Sequence, residues 1–208
     1  KMKISCMKGK LMQGISNVSK AVSTKTTHPI LSCIFIEAEN GNIKLTANDM
    51  EIGIESYVEG TVIEEGKVAI EAKLLSDIVR KLPDSEIHME TNEDFKTTIK
   101  CEKSLFTIAG KSGEDFSSLP VVEKSKYITI SQFTLREIIN QTIFSISDSE
   151  YNNVMTGELF EVSNNRLRVV AIDGHRIAIR NVELKDESQD VKVIVPGKAL
   201  SYISKIVN

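Results

Sequence analysis

The sequence predicts an α+β fold in duplicated domains, with antiparallel sheets carrying amphipathic helices, on three observations. The first is an internal echo: residues 164–179, Asn-Asn-Arg-Leu-Arg-Val-Val-Ala-Ile-Asp-Gly-His-Arg-Ile-Ala-Ile, repeat the plan of residues 40–54. Both open on a polar turn, run through alternating apolar residues to Ala-x-Asp, and then resume alternation. Period-two apolar runs around an Asn/Gly turn mark half-buried strands joined in a hairpin. The second is a fixed offset of 124 residues, which carries Ile43, Leu45, Ala47 and Asp49 onto Leu167, Val169, Ala171 and Asp173, and Leu11 and Ile15 onto Leu135 and Ile139. The third is an offset of 125 further on, where Val68, Lys73, Leu75, Ser76, Ile78 and Arg80 meet Val193, Lys198, Leu200, Ser201, Ile203 and Lys205. A register kept with one inserted residue, at so long a period, means duplicated domains rather than a short solenoid repeat.

Taken in order, residues 2–7 are predicted as a strand and 8–22 as a helix, with Leu11, Ile15, Val18 and Val22 on one face and Lys10, Gln13, Asn17 and Lys20 largely away from it. The loop 23–29 ends in His28-Pro29, an extended dipeptide feeding a strand. Strands follow at 31–39, 43–47, 51–58 and, past the turn Glu64-Glu65-Gly66, at 67–70. A second helix spans 72–82 with Leu75, Ile78, Val79 and Leu82 inward, and Pro83 stops it. Strands at 87–91, 96–101 and 105–109 close the first domain, and 110–126, rich in Gly, Ser, Pro and charge, is the linker.

The domains are placed at 1–125 and 126–208. In the second, a strand at 127–130 leads to Ser131 as N-cap of a helix running to about residue 147, with Leu135, Ile139 and Ile143 inward. Strands at 157–162, 166–171, 175–182 and 191–195 follow, then a last helix with Pro196 in its first turn. At offset 125 Asn208 corresponds to Pro83, whereas the first domain runs on to about residue 122. The second domain is therefore expected to be incomplete and the chain a piece of a longer protein, with Lys1 ahead of Met2 read as the remnant of an expression tag.

With 208 residues, 41% of them apolar and 26% charged, the composition suits globular cores. No apolar run approaches the roughly 20 residues of a membrane span, and no signal peptide precedes the first strand, so the expected setting is cytoplasmic, with no membrane partner. Cys6, Cys33 and Cys101 are odd in number, lack CxxC spacing and lie in apolar strands, which reads as reduced core thiols. The net charge of −3 taken alone argues against a nucleic-acid partner, but its distribution does not. The four predicted helices carry +3, +2, 0 and +2, so they hold +7 and the remainder −10.

Motifs for small-molecule chemistry are weak. Gly110-Lys111-Ser112 resembles the end of a phosphate loop, but that motif needs Gly where Leu105 stands. His28, His88 and His175 lack metal-ligand spacing, and neither metal nor cofactor is expected. Asp173-Gly174-His175-Arg176 offers a carboxylate and an imidazole, and a hydrolase using Asp173 and His175 is the enzyme alternative. No Ser or Cys elbow accompanies them, and Asp-Gly between strands is above all a turn. Lys73 with Arg80 and Lys198 with Lys205 are seven apart, two helical turns, so each pair shares one side about 10 Å apart. Their recurrence points to one surface facing a polyanion. Without a base-reading motif, backbone-directed binding is the expected mode; a purely structural repeat, the third reading, is disfavoured by the same charge asymmetry.

These residues together resemble the bacterial DNA polymerase III beta subunit family of sliding clamps. The matching stretches are His28-Pro29-Ile30-Leu31, Asp49 with Met50-Glu51-Ile52, Glu71-Ala72-Lys73 to Leu82-Pro83, Asp115-Phe116 with Leu119-Pro120, Asp173-Gly174-His175-Arg176-Ile177 and Ile194-Val195-Pro196. The resemblance implies the DNA clamp fold, with sheets outside and helices lining a central hole, three domains per subunit and a homodimeric ring. It implies no active site but a processivity role: the ring holds duplex DNA and tethers the replicative polymerase alpha subunit, the clamp loader and other proteins with clamp-binding motifs. The pocket for those motifs would include Met155, Ile172, Gly174, His175, Arg176 and Ile177, its other wall coming from the third domain. The DNA-facing bases would be Lys25, Lys73, Arg80, Arg136 and Lys198. The loop 149–154 departs from relatives that place aromatic and basic residues there.

Overall fold

Alternation of apolar and polar residues, short Asn/Gly turns and the helix stop at Pro83 set the elements that form. The computed structural model describes residues 1–23, 27–114, 116, 118–122, 125, 127–148 and 154–207. The chain divides into two units, Lys1–Pro120 and Val121–Asn208, a few residues ahead of the division expected at 125. The first unit contains β1 (Met2–Met7), α1 (Lys8–Val18), β2 (Cys33–Glu39), β3 (Asn42–Asn48), β4 (Gly53–Val58), β5 (Gly60–Glu64), β6 (Gly66–Glu71), α2 (Ala72–Lys81), β7 (Glu86–Thr91), β8 (Lys96–Cys101) and β9 (Ser104–Ala109). The second contains α3 (Gln132–Thr142), β10 (Gly157–Ser163), β11 (Arg166–Ile172), β12 (Ile177–Glu183), β13 (Val191–Pro196) and α4 (Gly197–Ile206).

Two sheets build the first unit, in the orders β5-β1-β7-β8-β9 and β4-β3-β2-β6, and one of order β12-β11-β10-β13 builds the second. Every pairing within them is antiparallel. Ile34, Ile36, Leu45, Ala47, Val68 and Ile70 turn inward and meet Leu11, Ile15 and Val18 of α1 and Leu75 and Val79 of α2 in one core. In the second unit Phe160, Val162, Leu167 and Val169 do the same with Ile138 and Ile139 of α3 and Leu200 of α4.

The duplication holds at the level of hydrogen-bond register. Phe35 pairs with Thr46 and Ala47 with Ile54; 124 residues on, Leu159 pairs with Val170 and Ala171 with Ala178. Phe35 also pairs with Ala69, and Leu159 with Ile194, the second partner now 125 residues on. The inserted residue therefore lies between β12 and β13. Even the helix ends repeat, since α1 tightens into a 3-10 turn at Ser19–Ala21 and α3 into one at Ile143–Ser145.

Several predicted boundaries change. The first helix stops at Val18 rather than 22, and Leu31 and Ser32 belong to the 3-10 turn Pro29–Ser32 that proline at its first position favours. Pro196 closes β13 and stands at the N-cap of α4, not inside its first turn. Strand β5 is an element the sequence reading lacks, because Gly60-Thr61-Val62-Ile63-Glu64 offers few buried positions. The predicted strand 127–130 is not one. Its counterpart β1 exists as a strand by pairing with β5 and β7, and the described residues of the second unit supply neither partner. Ser131 does cap α3, its hydroxyl accepting the Thr134 N–H at 3.1 Å.

One buried acid strains the second unit. Glu158 is fully buried on β10, and one of its carboxyl oxygens, Oε1, is without a hydrogen-bond partner, as is the buried Ser145 hydroxyl. Burial pushes its carboxyl up to about 7, against the lowering pull of the Thr142 hydroxyl. Thr142 Oγ1 lies 2.8 Å from the Ile138 carbonyl and 2.9 Å from Glu158 Oε2. A hydroxyl has one hydrogen, so Thr142 divides its donation between the Ile138 carbonyl and Glu158 Oε2, and the buried carboxyl has little to hold its charge. Because the folded pKa is raised, the neutral form favours folding below the unfolded value near 4.5, and that advantage is lost as pH rises through about 7. Glu158→Gln is expected to stabilise the second unit by about 2 kcal/mol more at pH 8 than at pH 5, read by amide exchange of its core. A gain independent of pH would contradict the buried-acid assignment.

Candidate nucleic-acid and partner interfaces

The Ala-x-Asp stretch that betrays the duplication ends in the same turn in both units. Asp173 donates its N–H to the Arg176 carbonyl at 3.3 Å, and its carboxylate accepts the N–H groups of His175 and Arg176 at 3.0 Å each. Asp49 donates to the Ile52 carbonyl at 3.2 Å and accepts from Glu51 and Ile52 at 3.1 and 2.8 Å. The residue after each aspartate has positive φ: +89° at Gly174 and +76° at Met50. These are Asx turns, in which the side chain replaces a backbone acceptor. Asp173 also takes the Arg176 Nε at 2.7 Å, and its carboxyl is held below the usual range, chiefly by the His175 N–H and then by Arg176. Committed in this way, Asp173 is a turn-builder, and the hydrolase reading loses its base.

The turn presents the predicted pocket residues at one end of the sheet. Ile172 and Ile177 pair across β11 and β12 and are both exposed, as are His175 and Arg176. Met155 lies just ahead of β10 at the same end, half-buried, its carbonyl tied to the Ser147 N–H at 2.8 Å. Arg176 reaches over the exposed ring of Phe144, 5.7 Å from its centroid, a cation–π contact that extends this apolar patch. Sequence alternation does not single out Phe144. Its signal is a large aromatic in the 3-10 turn that ends α3, followed directly by buried Ser145.

In the first unit the chain that follows the last strand reaches the corresponding end. Gly53 is the counterpart of Ile177, and a Cβ there would overlap the side chain of Leu119, so the chain itself fills the place.

The predicted DNA-facing residues are distributed over three helices. Lys73 and Arg80 are exposed on α2, but Arg80 is paired with Asp77 one turn back. Lys198 and Lys205 are exposed on α4, and Arg136 is half-buried on α3. Lys25 lies outside the described residues, as does most of the loop 149–154. On α1 part of the charge has local work: Lys8 Nζ donates to the Leu82 carbonyl at the end of α2 at 2.6 Å, and Lys10 pairs with Glu59 at 2.8 Å. Among the described residues no helix is long and apolar enough to cross a membrane.

The turn yields a direct test. Nothing lies within 4 Å of a Cβ built on Gly174, so Gly174→Ala carries only the cost of left-handed backbone, about 1 kcal/mol of second-unit stability. Met50→Gly is expected to leave the first unit as stable or more so, since Met already bears that cost. Thermal melts showing the opposite order would contradict the Asx-turn equivalence.

Residues 2–120 match the DNA polymerase III beta subunit, N-terminal domain, and residues 129–208 its central domain. The beta sliding clamp of Halalkalibacterium halodurans is 38% identical over 95% of this chain and 55% of its own length, and that of Bacillus subtilis 34% identical over 100% and 57%. The chain thus spans about half the length of the curated relatives it matches. Among solved structures, a putative DNA polymerase III beta subunit from Eubacterium rectale superposes with a TM-score of 0.95 at 56% identity, and the Bacillus subtilis sliding clamp with 0.93 at 32%, each covering 100% of this chain and 57% of its own. The clamp fold expected from the sequence is the fold observed, and the chain belongs to the DNA polymerase III beta subunit family.

Proposed function

We propose that the full-length protein is a noncatalytic sliding clamp: a homodimeric ring around duplex DNA that tethers the replicative polymerase alpha subunit, the clamp loader and other motif-bearing proteins in the cytoplasm. The observation that carries this reading is the segregation of charge in a member of this family, with a basic excess on the helices and an acidic remainder. Lys73, Arg136 and Lys198 face the phosphates; Arg80 contributes less, because Asp77 offsets it. Such contacts are indifferent to base sequence and leave the ring free to slide. The benefit to the polymerase is effective concentration at the primer end, since a tether converts repeated capture into an intramolecular event.

Met155, Ile172, Gly174, His175, Arg176 and Ile177 form the partner pocket. The exposed isoleucines take apolar side chains of a linear motif, Gly174 allows close approach, and the Arg176 side chain supplies a flat rim held by Asp173 and Phe144. Ring closure uses the outer edge of the first unit. Strand β9 ends its sheet with Leu105 and Phe106 exposed, an unpaired apolar edge of the kind that proteins cover with another chain.

In the full-length protein, replacing both Lys73 and Lys198 with Ala is expected to weaken binding to random-sequence duplex DNA and to reduce the slope of log affinity against log salt by about 0.9 for each phosphate no longer neutralised. Binding of a motif peptide should be unchanged. DNA affinity and salt slope equal to those of the unaltered protein would contradict the helix-facing arrangement.

A further inference from the structure

The outer face of the second unit's sheet carries an apolar row that crosses all four strands: Ile179, Val170, Leu159 and Ile194, paired in that order. Its counterpart in the first unit is Glu55, Thr46, Phe35 and Ala69. There the row is covered by the chain that follows the last strand. Lys111 pairs with Ala69 through two hydrogen bonds, 3.0 and 2.8 Å, as a one-residue extension of the sheet. Gly113 then lies flat on the Phe35 ring, where a Cβ would not fit, and Phe116 stacks on it with centroids 4.9 Å apart. Ala69, Thr46 and Phe35 are in consequence 0%, 3% and 9% exposed, while Glu55 at the end of the row stays open.

Among the described residues no further segment pairs at the edge of the second row, whose Leu159 and Val170 are half-buried and whose Ile179 is exposed. Ile194 is 46% exposed, and β13 pairs only with β10, which leaves its outer edge open where β6 receives Lys111. The relatives extend well beyond the matched share, which ends in the central domain. We propose that in the full-length protein an extended segment of the same chain, following the second domain, covers this row: it bonds the backbone of Ile194 as a short edge strand and lays apolar side chains on Leu159 and Val170. The repeated register places its docking edge, and the apolar character of the row sets its chemistry. Ile179, the counterpart of Glu55, stays outside it.

The test needs no DNA and is independent of the clamp function. Cys6, Cys33 and Cys101 are buried, and burial raises their thiols, Cys6 to about 12, so background labelling is slow. Ile194→Cys and Ile179→Cys are made in this 208-residue chain and in the full-length protein, and maleimide labelling is timed. Ile194→Cys is expected to react roughly tenfold more slowly in the full-length protein, at a rate independent of protein concentration, and Ile179→Cys equally in both. Equal rates at 194 overturn the proposal, and so does protection that grows with protein concentration, which would mean a second copy. Should the substitutions disturb folding, exchange of the Ile194 amide in the unaltered proteins reads the same contact: protection confined to the full-length protein supports it, and equal exchange overturns it.

Discussion

Antiparallel register is the constraint on which the rest of this structure depends. Side chains alternate across a sheet with a period of two, so a slip of one residue would send every inward side chain outward. The register that pairs Phe35 with Thr46 and Leu159 with Val170 puts Ile34, Ile36, Leu45, Phe160, Leu167 and Val169 against the helices in both units. The same register decides what faces away: Phe35, Thr46 and Lys44 in one unit, Leu159, Val170 and Arg168 in the other. Each unit therefore has a helix-bearing side and an outer sheet side, and the two sides are free to carry different chemistry.

Much of this was legible because alternation and helical spacing are local signals. The strands β2, β3, β10 and β11, the inward faces of α1, α2 and α3, and the Ser131 cap can all be read from neighbouring residues. The strand predicted at 127–130 shows the limit. Its residues alternate as β1 does, but a strand is a pairing, and the partners that make β1 a strand lie far away in sequence. Strand β5 fails the other way: Thr61, Val62 and Ile63 carry little pattern, and their pairing with β1 makes them a strand. At the proposed pocket, the isoleucines and the Asp-Gly turn are visible in the sequence, whereas Phe144 requires knowing that the 3-10 turn after α3 packs beside β11 and β12.

Charge read from sequence also overstated what is available for binding. The +3 of the first helix includes Lys8, which caps the end of α2, and Lys10, which pairs with Glu59; on α2, Asp77 claims Arg80. Exposed pairs of this kind are worth little to stability. They do change how much each cation offers a phosphate. A surface of dispersed cations holds DNA weakly and reversibly, as the proposed sliding ring requires.

Topology is accordingly what to measure. The full-length protein is loaded onto nicked circular DNA, the salt is raised until phosphate contacts are screened, and retention is followed before and after the circle is cut. Persistence on the circle with rapid loss from the cut ends is the result expected of a closed ring that slides. Equal loss from circular and linear DNA would mean ordinary electrostatic adhesion, and would contradict a clamp that encircles its substrate.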